Sequence, residues 1–220
     1  MAQIKQLRSL ITSGGELRVS IEEAPMPEPG PDEVVVEVEA TPINPSDLGG
    51  LIGPGNLAQA RNEDGVLIAP VAEGLLKHFK ARIDKPLPMG NEGAGRVVAA
   101  GPGEAAQALM GKRIACMGGG MYATHRTVHS AFCMELPETA SARDGASCFV
   151  NPLTALSMID TMRMDGHSAL IHTAAASNLG QMLNRICLDD GVSLINIVRK
   201  EAQVSLLKDQ GAKIVLNSSD

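Results

Sequence analysis

The chain has 220 residues, 44% hydrophobic and 20% charged, enough apolar material for one or two globular domains with a real core. A formal net charge of −6 excludes a general nucleic-acid or anionic-membrane surface, and one Tyr, three Phe and no Trp leave no base-stacking platform, so any anion site must be local. Four scattered cysteines (Cys116, Cys133, Cys148, Cys187) lack the spacing of structural zinc and read as reduced, mostly buried thiols; with no secretory h-region and no membrane-length apolar run, this predicts a cytoplasmic protein.

Leu17, Val19 and Ile21 alternate with Arg18, Ser20 and Glu22, which predicts a half-buried strand. Pro25, Pro27, Pro29, Gly30 and Pro31 force a turn. Val34, Val35, Val36 and Val38, interleaved with Glu37 and Glu39, predict a second strand, and further strands are expected over 95–100 and 112–117. Residues 1–150 are therefore read as a β-rich domain. Within it, residues 56–85 fit no strand pattern. Val71, Leu75, Leu76 and Phe79 have helical spacing there, and Lys77, His78, Lys80 and Arg82 make a basic far side, either a solvated face or a lid.

From Pro137 the pattern turns helical. Ser141 with Asp144 predicts an N-cap, and Asn151-Pro152 a helix start in which Asn caps and Pro fits the first turn. That helix, with Leu153, Leu156, Ile159 and Met162 on one face, leads into a second domain spanning 151–220. Residues 168–172 form a short apolar run, followed by a turn of small residues over 173–180. Leu179, Met182, Leu183, Ile186 and Cys187 then have the spacing of a helix packed on a sheet, and Gly191 ends it. Val192, Leu194, Ile195, Ile197 and Val198 predict a parallel strand covered on both faces. A helix over 201–210, with Val204 and Leu207 inward, and a strand over 213–216 complete the pattern. Strand, helix, strand, helix, strand is one half of a doubly wound sheet, so the chain reads as truncated, with apolar faces and an edge left for more chain or a partner to cover.

Ala175, Ser177 and Gly180 stand where G-x-G-x-x-G places its glycines, one kept of three. The turn is read as a phosphate loop, against the plainer alternative of close packing alone. Arg199 and Lys200 follow about 20 residues on, where an NAD-binding chain carries an acid for the ribose 2′-hydroxyl. Two cations suit a 2′-phosphate and favour NADPH over NADH; the alternative is that they only solvate a strand end. His172 reads as a satisfied, partly buried residue, and His78 and His167 as surface or turn positions. His125 and His129, if on a strand, lie roughly 13 Å apart and cannot share a metal. No histidine is assigned to catalysis.

Taken in order, Ile43-Asn44-Pro45-Ser46-Asp47, Gly90-Asn91-Glu92-Gly93-Ala94-Gly95, Asn151-Pro152-Leu153-Thr154-Ala155 and the Ala175 to Gly180 turn resemble the medium-chain dehydrogenase/reductases, and within them the zinc-free quinone oxidoreductases and 2-enoyl thioester reductases. The resemblance covers essentially the whole chain. It implies an α/β protein, a GroES-like catalytic domain over 1–150 followed by the first half of a Rossmann NADPH-binding domain over 151–220. Zinc-dependent relatives carry Cys and His where this chain has Asn44 and Asn91, neutral amides that are poor zinc ligands, so no metal is expected.

The activity implied is hydride transfer from NADPH to a small-molecule acceptor, a quinone or an α,β-unsaturated carbonyl. By resemblance, Asn44 and Thr154 contact the nicotinamide-ribose side, Ser177, Asn178, Leu179 and Gly180 hold the pyrophosphate, and Arg199 and Lys200 take the 2′-phosphate. Each has a plainer alternative: Asn44 braces its turn, Thr154 bonds back along its helix, Asn178 caps. One departure matters. Enoyl thioester reductases of this family carry a proton-donating Tyr where this chain has Gly55, and the only tyrosine, Tyr122, reads as a packing residue. That moves the preference to quinones or small enones, and no catalytic residue is assigned. The competing readings are a non-enzymatic NADPH-binding sensor whose cleft residues 56–85 fill, and a fragment inactive by itself. Neither nucleic acid nor a membrane is expected as partner, and a homodimer stays open.

Overall fold

Two antiparallel sheets organise the first part of the chain. The computed structural model describes residues 2–219, which divide into a unit ending at Cys148 and a second starting at Phe149. In the first unit, β1 (Gln3–Ile11), β2 (Glu16–Pro25), β3 (Glu33–Ala40), α1 (Pro45–Leu51), β4 (Arg61–Glu63), β5 (Val66–Pro70), α2 (Glu73–Leu76), β6 (Leu87–Pro88), β7 (Glu92–Ala100), α3 (Glu104–Gln107), β8 (Arg113–Met117), β9 (His125–His129), β10 (Cys133–Glu135) and α4 (Ala142–Gly145) follow in order. The sheets have strand orders β4-β5-β2-β1-β6 and β10-β8-β7-β3-β9.

In β3, a central strand paired with β7 and β9, the consecutive residues Val34, Val35 and Val36 are all buried; since successive side chains point to opposite faces, the strand is covered on both. Val34 and Val36 share one core with Val97, Ile114, Cys116, Met121 and Val128. β2 buries Leu17 and Val19 as expected, but Ile21 is 69% exposed: the inward alternation stops before the strand does. The expectation for 56–85 needs correction, since β4 and β5 form a hairpin there, turned at Asp64 and Gly65 with φ of 50° and 81°. The helical spacing found there is realised only as the short α2, and Arg82 is half-buried, donating to Ser9 Oγ, instead of lying on a solvated basic face.

The second unit holds α5 (Val150–Met164), β11 (Ala169–Thr173), α6 (Asn178–Asp189), β12 (Ser193–Val198), α7 (Glu201–Asp209) and β13 (Ile214–Asn217). Its three strands are parallel in the order β11-β12-β13. The mixed α/β architecture is the one expected, β-rich first and parallel-stranded after. Leu183 and Cys187 of α6 pack with Ala155 and Ile159 of α5 and Leu194 of β12, while Val204 and Leu207 of α7 pack with Val198. On β11 and β13, Ile171 and Leu216 are 67% and 52% exposed, as the expected open face requires. Asn151 does not cap α5: Phe149 is the N-cap, and Asn151 and Pro152 lie in the first turn, where proline's missing N–H costs nothing.

Candidate functional site

The carboxyl ends of parallel strands are where a βαβ unit opens a crevice, because the helix that follows begins there and its first amides have no partners within the helix. Thr173 ends β11, and the chain reaches α6 through Ala174, which takes a left-handed φ of 55°, and Ala175, fully buried. Ala175 N–H donates to Ile197 O at 3.2 Å, pinning the turn to β12. Ser177 is the N-cap: its Oγ accepts from Gly180 N at 3.1 Å. Among the described residues, no acceptor within the protein takes the amides of Ala176, Asn178 and Leu179. Gly180 lies so close beneath the turn that a Cβ there would stand 2.2 Å from Ala175 O. The helix can therefore begin directly against the strand turn, with its open amides at the crevice.

A cleft of about 590 Å³ opens at this point, lined by Ala174, Ala176, Ser177, Arg199 and Gln203, among others. Arg199 follows the end of β12, and its backbone N–H donates to Gln203 Oε1 at 3.1 Å. Its neighbour Lys200 is the N-cap of α7. Both are exposed, and among the described residues neither forms an ion pair. Arg199, the open Ala176 amide and the Ser177 hydroxyl thus share one crevice with Ile197 and Val198, an arrangement suited to a phosphorylated ligand. Of the predicted residues, Ser177 and Arg199 line the cleft; Asn178, Leu179 and Gly180 form the first turn of the helix beside it. Asn178 is not a cap, since Ser177 holds that role.

A second polar cluster lies in the first unit, where α1 follows β3. Asn44 is buried, its backbone N–H donating to Asp47 Oδ2 at 2.8 Å and its Nδ2 to Glu92 Oε1 at 2.9 Å. Asp47, also buried, accepts from Asn91 N–H at 3.0 Å. Glu92 is fully buried. Tyr122 donates its hydroxyl proton to Pro42 O at 3.1 Å, and burial, reinforced by the charge of nearby Asp47, pushes the phenol well above its ordinary value. At Gly55 a Cβ would meet Leu17 Cδ2 at 2.7 Å and Ala69 Cβ at 2.9 Å, so this position has no room for a tyrosine.

Residues 30–138 match the alcohol dehydrogenase GroES-like domain. The chain belongs to the medium-chain dehydrogenase/reductase superfamily. It is 30% identical over 190 residues to the synaptic vesicle membrane protein VAT-1 homolog of Rattus norvegicus, covering 82% of this chain and 40% of that protein. It is 27% identical over 194 residues to the mitochondrial enoyl-[acyl-carrier-protein] reductase of the same organism, covering 86% of this chain and 46% of the relative. A solved structure from Mesorhizobium loti, assigned as an NADPH:quinone reductase, superposes with a TM-score of 0.72 at 29% identity, covering 100% of this chain and 61% of that one. The chain thus spans less than half the length of these two sequence relatives.

Zinc, which some members of the superfamily use, does not suit the donors present. Asn44 turns its amide nitrogen to Glu92 and Asn91 turns its own to Ser46 Oγ at 3.1 Å, and an amide nitrogen has no lone pair to give a metal. Among the described residues, no three His, Cys, Asp or Glu side chains gather where an ion could be held.

The other predicted residues are placed as follows. Thr154 bonds back along α5, its Oγ1 donating to Val150 O. His172 is half-buried as expected, but its Nδ1 has no hydrogen-bond partner, so it is not the satisfied residue anticipated. Burial holds its imidazole below the ordinary value. His125 and His129 do share a strand, β9, and His129 Nδ1 accepts from Ala131 N–H at 3.2 Å. Two buried amides escaped the sequence reading: Asn196 of β12 donates to Asn184 of α6 at 3.3 Å, inside the core beneath the helix. Their types offered a signal, since a polar residue in a run as apolar as 192–198 demands a partner.

Proposed function

We propose that this chain belongs to a zinc-independent oxidoreductase and carries the binding site for the adenosine and pyrophosphate parts of NADPH. The observation that carries the reading is the crevice ahead of α6, lined by Ala176, Ser177 and Arg199, with the open amides of Asn178 and Leu179 and the close-packed Gly180 in the helix turn beside it. When bound, NADPH supplies a hydride to an electron-poor conjugated acceptor, here a quinone or an α,β-unsaturated carbonyl.

What the chain's own residues do follows from their chemistry. The amides of Ala176, Asn178 and Leu179 donate to pyrophosphate oxygens, helped by the positive end of the α6 dipole. Ser177 contributes its hydroxyl proton, since its oxygen already accepts from Gly180 N. Arg199, assisted by Lys200, takes the 2′-phosphate, Arg by a bidentate fork and Lys as a point charge. Asn44 and Thr154 keep the nicotinamide-ribose contacts that the resemblance implies. The quinone or small-enone preference is supported by Gly55, which leaves no room for the tyrosine that would protonate an enoyl thioester, and by Tyr122, whose proton is engaged by Pro42 O.

The test is a titration of the protein with NADPH and NADH, followed by an acceptor screen. Replacing both cations, Arg199→Glu with Lys200→Glu, is expected to weaken NADPH binding roughly 10- to 100-fold while leaving NADH within a factor of about three. An unaltered ratio of the two affinities would show that these cations do not read the 2′-phosphate. Tight NADPH binding with no turnover across quinones and enones would instead support a non-enzymatic binding protein.

A further inference from the structure

Cys116 of β8 and Cys133 of β10 are direct cross-strand partners. Their positions are not interchangeable with any two facing residues, because antiparallel pairs alternate between hydrogen-bonded and non-hydrogen-bonded, and only in the latter do the side chains come closest. The backbone shows which kind this is. Leu136 N–H donates to Arg113 O at 3.0 Å, so 136 and 113 form a hydrogen-bonded pair. Alternation along the ladder then makes 135 with 114 non-bonded, 134 with 115 bonded, and 133 with 116 non-bonded. Cys133 agrees, since its own N–H donates to Ser130 O and not across the sheet. A non-bonded pair sets its Cα atoms about 4.5 Å apart, inside the span of roughly 4.4–6.8 Å that a disulfide bridges. Both side chains face the same core, Cys116 fully buried and Cys133 partly buried against it.

We propose that Cys116 and Cys133 are an oxidisable pair, closed to a disulfide by a low-molecular-weight disulfide such as oxidised glutathione, which staples β10 to β8. Cys133, the more accessible of the two, is the entry point. Its thiolate attacks oxidised glutathione and releases one glutathione thiolate, leaving a mixed disulfide. Cys116 then attacks the Cys133 sulfur and releases the second glutathione. Two protein thiols lose two electrons and two protons, and one glutathione disulfide becomes two thiols. Burial pushes the Cys133 thiol up to about 11 and the Cys116 thiol up to about 12, so closure is slow at neutral pH and gathers speed in alkali. β10 is a three-residue strand at the sheet edge, paired only to β8, and is the element such a staple would hold most. The inference does not depend on the cofactor reading.

The experiment uses the Cys148→Ser, Cys187→Ser protein, in which only the pair remains, incubated with oxidised glutathione at pH 7 and pH 9.5. Closure lowers the intact mass by about 2 Da and joins tryptic peptides 114–126 and 127–143, faster at the higher pH. It also raises the thermal midpoint of the transition that reports the first unit by roughly 5–10 °C, reversed by dithiothreitol. Adding Cys116→Ser should halt the reaction at glutathionylated Cys133. Glutathionylation that stalls on Cys133 with Cys116 intact, or no mass change at pH 9.5, would overturn the proposal. A disulfide of Cys133 to Cys148 or Cys187 in the unsubstituted protein, with none to Cys116, would do so as well.

Discussion

Gly180→Ala is the sharpest perturbation of the cofactor reading. The added methyl would lie 2.2 Å from Ala175 O, 2.6 Å from its carbonyl carbon and 2.7 Å from its Cα. All three are backbone atoms, so no rotamer change relieves the contact, and the tip of α6 must retreat from the strand turn by about 1 Å to restore van der Waals distance. Overpacking of this kind costs about 1–3 kcal/mol, while the better helix propensity of alanine returns at most about 1 kcal/mol. The clash wins, and the net loss is about 1–2 kcal/mol. The displacement also moves the open amides from the phosphate position, for which we expect NADPH affinity to fall at least about tenfold. The matched control is Gly191→Ala, at φ of 68° where a Cβ meets nothing within 4 Å. That change should cost about 1 kcal/mol of stability and leave cofactor binding alone. Urea unfolding and a fluorescence titration with NADPH read both quantities. A Gly180→Ala protein that matches the control in affinity would refute the argument.

Three further outcomes are expected. Ala174→Gly, at the non-glycine φ of 55°, should stabilise the protein by about 0.5–1 kcal/mol in urea unfolding, because glycine carries no penalty in that conformation. Asn44→Ala should cost about 1–3 kcal/mol by removing a donor to a fully buried carboxylate, and Asn44→Asp should cost more, since it sets a second carboxylate against Glu92. His172 binds its proton less readily folded than unfolded, so its contribution is complete above the unfolded value near 6.5 and is lost as pH falls from there towards the lower folded value. Comparing urea midpoints at pH 7.5 and 5.5, His172→Gln should lose part of that acid sensitivity, and an identical slope in both proteins would count against the assignment.

The parts of the fold that were legible are those where one physical demand sets the residue type. A parallel strand covered by helices must be apolar, hence Leu194 to Val198, and a helix on a sheet must repeat its apolar face, hence Leu183 and Cys187. β1 was missed because its inward positions include Gln6 and Ser9, both buried. Ser9 Oγ is satisfied by Gly50 O and Leu51 O, about forty residues away, and no local pattern announces such a partner. The β4-β5 hairpin did have a local signal in Asp64-Gly65, but the flanking Arg61, Asn62 and Glu63 are all exposed and supply no alternation. The cysteine pair was invisible for a different reason, since it exists only once register is known. For the candidate site, the small-residue turn ahead of α6 could be read from the sequence, whereas the engagement of Thr154 by Val150 O and of Asn44 by Glu92 needed coordinates.

The degenerate fingerprint also has a physical account. Of the three glycine positions in the motif, the chain keeps the third, Gly180, where a Cβ would stand 2.2 Å from Ala175 O. At the first, Ala175 turns its methyl into the core, fully buried. The tight turn that glycine normally eases is shifted one residue earlier, onto the left-handed Ala174. At the second, Ser177 brings a hydroxyl to a place where glycine would leave bare backbone. Its oxygen occupies the Gly180 amide, which removes one donor from the proposed phosphate site, and its free hydroxyl proton would restore one. The count of donors is therefore kept while their geometry changes, from a rigid amide fixed by the helix to a hydroxyl free to rotate.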